Sequence, residues 1–134
     1  MEKRDYLERE IEKMRAVLQK IFGLRVDKPE EAKELISTEM NLYFHLSQPS
    51  VNAMDDNEFV QYIHPLKIYA LKFLGDLLFA SVDLEHSLSQ TDKETLHKVL
   101  IIWDTWELKT KTLDWEKMEL KKKIKKLISP SKSE

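Results

Sequence analysis

Residues 66–86 carry a nearly continuous apolar surface. At about 100° per residue, Lys72, Asp76 and Asp83 fall on one narrow stripe. Ile68, Tyr69, Leu71, Phe73, Leu74, Leu77, Leu78, Phe79 and Val82 take up nearly all the rest. A helix that is apolar on most sides has to be surrounded by other elements. The expected architecture is therefore a central helix with further helices packed around it. The stretch is not a membrane span. Lys67, Lys72, Asp76 and Asp83 interrupt its apolar run, residues 66–84, with four charges, and a hydrocarbon core does not tolerate that many over about 20 residues.

The remaining chain repeats the helical pattern. Leu7, Ile11, Met14, Leu18 and Ile21 are spaced 4, 3, 4 and 3 apart, which is a helical seam. Gly23 fits the left-handed residue that ends such a helix. Asp27 and Glu30, flanking Pro29, read as a capping box for the next one. Ala32, Leu35, Ile36, Tyr43 and Leu46 share its apolar face, with Glu39 in the middle. Residues 47–57, with Pro49, read as a loop. Asp56 or Asn57 caps a short helix carrying Phe59, Val60, Tyr62 and Ile63, and His64-Pro65 interrupts it. After a turn at residues 87–90, Thr91 and Glu94 form a second capping box. Leu96, Val99, Leu100, Trp103 and Trp106 then form one face, with Ile101 and Leu108 nearly opposite. Residues 110–114 break that helix. A last helix runs to Ile128 on a face of Leu113, Leu120, Ile124 and Leu127, with Trp115 and Met118 off it.

Two glycines and four prolines are too few punctuators for a many-stranded sandwich or barrel. The expectation is one all-α domain over residues 1–128, with residues 129–134 as a frayed tail. It holds five to six helices, arranged as antiparallel αα-hairpins in a bundle or a short tetratricopeptide-like solenoid.

Asp5-Tyr6-Leu7-Glu8-Arg9-Glu10-Ile11-Glu12 resembles the opening helix of small bacterial all-helical proteins in which an Asp-Tyr-apolar-x-Arg-x-Ile-Glu pattern precedes tetratricopeptide-like hairpins. The segment from Lys109 to Glu116, followed by residues 122–128, is similar to their closing helix. The resemblance implies repeat-like helical hairpins and no assigned activity. A full tetratricopeptide signature is not met. With Leu74-Gly75 on the repeat's Leu-Gly pair, Ser87 and Thr91 stand where alanine and an aromatic belong, so no binding residues carry over.

The function classes narrow by chemistry. With no cysteine, thiolate nucleophiles, disulfides and Cys-ligated metals are excluded. The N-terminus has no apolar run of the signal-peptide kind, and a reducing, cytoplasmic setting is expected. No Gly-rich phosphate loop, Gly-x-Ser-x-Gly elbow or His-Glu-x-x-His occurs, so no catalytic residue and no cofactor are expected. The most enzyme-like feature is two acid–histidine pairs at i, i+3: Asp83 with His86, and Glu94 with His97. Each pair lies on one helix face, as does the Glu-x-x-His of helical metal-dependent enzymes. The two pairs flank one turn, so a hairpin can bring them close, and Glu39 is a further oxygen donor, although such metal sites sit mid-bundle and not at a turn. The plainer reading is a wet hairpin end. Residues 116–134 hold seven lysines against three acids, a pattern that suits a nucleic-acid or membrane-surface contact or simply the solvated face of a terminal helix. Residues 27–58 are the opposite pole, with eight acids and two lysines. The leading expectation is a non-catalytic protein-interaction or self-associating scaffold module. Ile101, Leu108, Trp115 and Met118 are its candidate surface, and a second copy or another protein its partner.

Overall fold

The computed structural model describes residues 2–85 and 87–128, with side chains from Asp5 onward. Among these residues there are seven helices and no strand, which bears out the all-helical expectation with a higher helix count. They are α1 (Glu2–Asp27), α2 (Pro29–Phe44), α3 (Gln48–Ala53), α4 (Asp56–Ile63), α5 (Ile68–Ala80), α6 (Gln90–Thr110) and α7 (Trp115–Ile128). No described helix is long and apolar enough to cross a membrane. Contacts within the chain fall into two compact units, Met1–Ser47 and Gln48–Glu134.

In the first unit α1 packs along α2. Met14 and Ile21 are buried on α1, with Ile11 and Leu18 of the same seam half-buried. Gly23 does not end the helix. Its φ is not positive, and a Cβ there would meet nothing within 4 Å. The helix therefore continues at the modest cost of one interior glycine. Asp27 is consequently its last residue rather than a cap. The N-cap of α2 is Lys28, without a side-chain hydrogen bond. Pro29 at the first turn supplies the start instead, because its preset φ suits that position and its missing N–H loses nothing there. Ala32, Ile36, Glu39, Met40 and Phe44 are buried. The helix closes at His45 in the left-handed region (φ 55°), with the Leu46 N–H donating to the Met40 carbonyl.

In the second unit α6 is the hub, packed against α3, α4, α5 and α7. Its closest partner is α5, whose Leu71, Phe73, Leu74, Leu77 and Leu78 are buried. The two helices approach at Gly75, where an added Cβ would lie 2.9 Å from Ile102 Cγ2 and 3.1 Å from Trp103 Nε1. Only a residue without a side chain allows that spacing. The central helix is shorter than expected and ends at Ala80 rather than His86, where the Ser81 hydroxyl donates to the Leu78 carbonyl at 2.6 Å. Residues 47–57 are not a plain loop, since α3 lies inside them with Val51 buried. Two caps shift as well. Asp55 with Glu58 boxes α4, in place of Asp56 or Asn57. Ser89 with Asp92 boxes α6, in place of Thr91 with Glu94. Residues 129–134, the expected frayed tail, lie outside the described residues.

Candidate functional site

The turn from α6 into α7 is stiffly built. Lys111 takes the left-handed conformation (φ 55°) and its N–H donates to the Glu107 carbonyl at 2.7 Å. The Thr110 hydroxyl donates to the Trp106 carbonyl at 2.8 Å. Asp114 Oδ1 accepts from the N–H groups of Glu116 and Lys117 at 3.0 and 3.3 Å, which caps α7. On this frame Leu108, Leu113 and Trp115 stand 78%, 72% and 75% exposed. Leu108 and Leu113 wall a hollow of about 520 Å³ together with Lys111, Thr112, Asp104 and Glu107. Of the four residues expected to form an interaction surface, Leu108 and Trp115 are therefore open, while Ile101 and Met118 are half-buried. Leu113, expected on the buried face of the last helix, is a correction. It precedes the helix and belongs to the exposed group.

Two lysines that the sequence reading treated as solvated hold α7 to α6. Lys117 is buried, with Nζ 4.9 Å from the ring centroid of Trp103 and 5.9 Å from that of Trp106. Such cation–π contacts strengthen as water is excluded. Among the described residues the indole N–H groups of both tryptophans have no hydrogen-bond partner, so the rings act here through their faces. Lys121 Nζ lies 2.5 Å from Asp104 Oδ1 and 2.9 Å from Glu107 Oε1. These partners hold its ammonium above the usual lysine range against the opposing effect of burial. The outward face of α7 carries Lys122, Lys123, Lys125 and Lys126, all exposed.

A second concavity, a cleft of about 940 Å³, lies between the start of α4, the end of α3 and the first half of α6. Its walls are tied by His97 Nε2 and Asp56 Oδ2 at 2.9 Å. Hydrogen bonding to His97 keeps the Asp56 carboxyl below the usual carboxylate range. Behind it the buried Thr95 hydroxyl accepts from Gln48 and Asn52 side-chain amides at 3.2 and 3.1 Å. Lys98, only 5% exposed, lines the cleft with its ammonium 5.6 Å from the Phe59 ring centroid. Neither Lys98 nor the Asn52 network was singled out from sequence. A lysine beside Val99 and Leu100 carries no pattern that marks it as buried.

The acid–histidine pairs do not converge as a metal site among the described residues, where no three His, Asp or Glu side chains are placed to hold an ion. His97 is engaged by Asp56, and Asp83 Oδ1 accepts from the Glu85 N–H at 2.9 Å. His86 lies outside the described residues. Glu39 is buried on α2, and burial pushes its carboxyl above the usual range. His45 is exposed at the end of α2, and the His64 carbonyl accepts from Lys109 Nζ at 2.5 Å. Comparison with protein-family models, curated proteins and solved structures gives no match to this chain.

Proposed function

We propose that this chain is a non-catalytic docking module that closes on a second copy of itself through the α6–α7 turn. The observation that carries this is the set of Leu108, Leu113 and Trp115, each more than 70% exposed on a rigid turn. Apolar area left in water forgoes roughly 25 cal/mol per Å², and contiguous exposed apolar groups mark contact surfaces. Leu108 and Leu113 of this set also wall a hollow with Asp104, Glu107, Lys111 and Thr112. In the proposed two-fold dimer the exposed Leu108, Leu113 and Trp115 of the two copies cover one another. Half-buried Ile101 and Met118 extend the surface on either side. On this reading α1–α2, α5–α6 and α6–α7 serve as antiparallel, tetratricopeptide-like hairpins of a small cytoplasmic scaffold.

Sedimentation over a micromolar concentration series tests it. The expected result is a reversible dimer that Trp115→Ser and Leu108→Ser convert to monomer with unchanged circular dichroism. A monomer at every concentration, with Trp115 emitting as a water-exposed indole, refutes it.

The exposed lysines of α7 favour a second reading, contact with an anionic surface. Binding of that kind falls steeply with salt. Retention on anionic vesicles that is insensitive to salt counts against it.

A further inference from the structure

Nothing in the local sequence forces the chain to turn between α6 and α7. Thr110-Lys111-Thr112-Leu113-Asp114 contains no glycine and no proline, the residues that ordinarily stop a helix. Lys111 takes the left-handed conformation (φ 55°), which is costly for a residue with a Cβ and free for glycine. The Lys111 N–H donates to the Glu107 carbonyl, and the Met118 N–H donates to the Asp114 carbonyl. Both bonds already have the i to i−4 spacing of an α-helix. Residues 111–114 are therefore all that separates α6 and α7 from one continuous helix. What keeps the turn closed is α7 lying back on α6, with Lys117 over Trp103 and Trp106 and Lys121 on Asp104 and Glu107.

None of these contacts requires that α7 belong to the same chain. With the hinge open, the α7 of one copy reaches the same partners on the α6 of another. Short hinges under strain favour such an exchange. The open form also accounts for apolar residues on the hinge itself. Ile101, Leu108 and Trp115 are spaced seven apart, and on a continuous helix that spacing sets them on one stripe with a drift of only about 20° per step. In the closed chain Leu108 and Trp115 stand in water. We infer that the dimer forms by exchange: residues 111–114 of each copy open, and each α7 docks on the α6 of the other copy. Such an exchange presupposes the self-association proposed above and identifies the element that crosses. The two hinges pass each other, which brings Leu108, Leu113 and Trp115 of both copies together.

Complementation of charge variants tests this. Lys121→Glu sets like charge against Asp104 and Glu107 in one variant. Asp104→Lys with Glu107→Lys sets like charge against Lys121 in the other. Alone, each variant meets repulsion whether α7 stays or crosses. Refolded together in equal amounts, they should form a heterodimer in which both exchanged α7 helices meet opposite charge. Its melting temperature should exceed that of either variant, and its α7 amides should exchange hydrogen at least about tenfold more slowly than in either alone. Without exchange each chain keeps its own repulsion, so a mixture that behaves as the average of its parts overturns the proposal. If the charge variants do not fold, Lys111→Gly carries the test. Glycine suits the closed turn and disfavours a helical hinge, so the dimer should bind at least about tenfold more weakly. An equally tight dimer overturns the exchange. Sedimentation of the unsubstituted chain separates the two failures. A dimer without rescue in the mixture removes the exchange and leaves a surface dimer, whereas a monomer at every concentration removes both.

Discussion

A carboxylate withdrawn from water resists ionisation, and Glu39 on α2 is held in that way. Its pKa is raised by burial in the folded chain, so the folded state binds more protons than the unfolded one. Stability then falls as pH rises from the ordinary carboxylate value through the raised one. Glu39→Gln should remove that slope. Above the window it should stabilise the chain by more than the ~0.5 kcal/mol typical of surface changes. Urea denaturation on both sides of the window checks this, and an unchanged slope would show that Glu39 keeps its water. Asp56 has the opposite sign. His97 lowers its pKa, so its contribution is present above the unfolded value and is lost as pH falls through the lowered one. Both side chains are largely exposed, so Asp56→Asn should cost less than about 1 kcal/mol. Glu39 was legible as an acid inside an apolar face, because periodicity places a residue on a face. Lys98 and Lys117 were not legible. Periodicity does not tell that a lysine stem will be covered by a neighbouring helix or that its ammonium will rest on an aromatic ring.

Element boundaries were harder to read than element existence, and the reason is competition between equivalent local signals. Ser89-x-x-Asp92 and Thr91-x-x-Glu94 both satisfy the capping-box pattern, two residues apart. The chain uses the first, with Asp92 N–H donating to Ser89 Oγ at 3.0 Å and Ser89 N–H donating to Asp92 Oδ2 at 3.2 Å. Ser89→Ala should therefore cost about 1 kcal/mol, whereas Thr91→Ala should stay within ~0.5 kcal/mol. The reverse order in thermal melts would restore the later start. Helix α3 was missed because six residues with a proline among them carry too little periodicity to stand out from a loop. The α5–α6 contact yields the sharper test. At Gly75 an alanine gains about 1 kcal/mol of helix propensity. Its Cβ, however, meets Ile102 and Trp103, both buried with no room to yield. Overpacking of this kind costs typically 1–3 kcal/mol, so Gly75→Ala should be net destabilising. Leu74→Ala and Leu77→Ala, at fully buried positions, should each cost on the order of 2–5 kcal/mol.

Across the whole molecule, the helical class was legible because 3.6-residue periodicity recurs in every long segment and nothing in the chain alternates with period two. The division of the chain's contacts at Ser47 was not, since no glycine- or proline-rich linker marks it. The strength with which each helix is held was also hidden, and here the second unit is uneven. Helix α5 buries seven residues, nearly all apolar. Helix α7 buries only Ile124 and Lys117, and draws the rest of its hold from half-buried Leu120, Leu127 and Ile128 and from Lys121 on Asp104 and Glu107. Contacts of charge on charge and charge on ring are worth less than an equal area of packed apolar surface, because the charges surrender hydration to make them. Local opening follows the least buried element. Hydrogen exchange should thus find the α7 amides exchanging at least about tenfold faster than those of α5 and the middle of α6, the factor equivalent to about 1.4 kcal/mol. Lys117→Ala should widen that gap, since it empties the space over Trp103 and Trp106. Lys117→Met, which keeps the stem, should widen it less. Equal protection through α5, α6 and α7 would mean that the last helix is as firmly seated as the core, and that its lysines hold as well as leucines would.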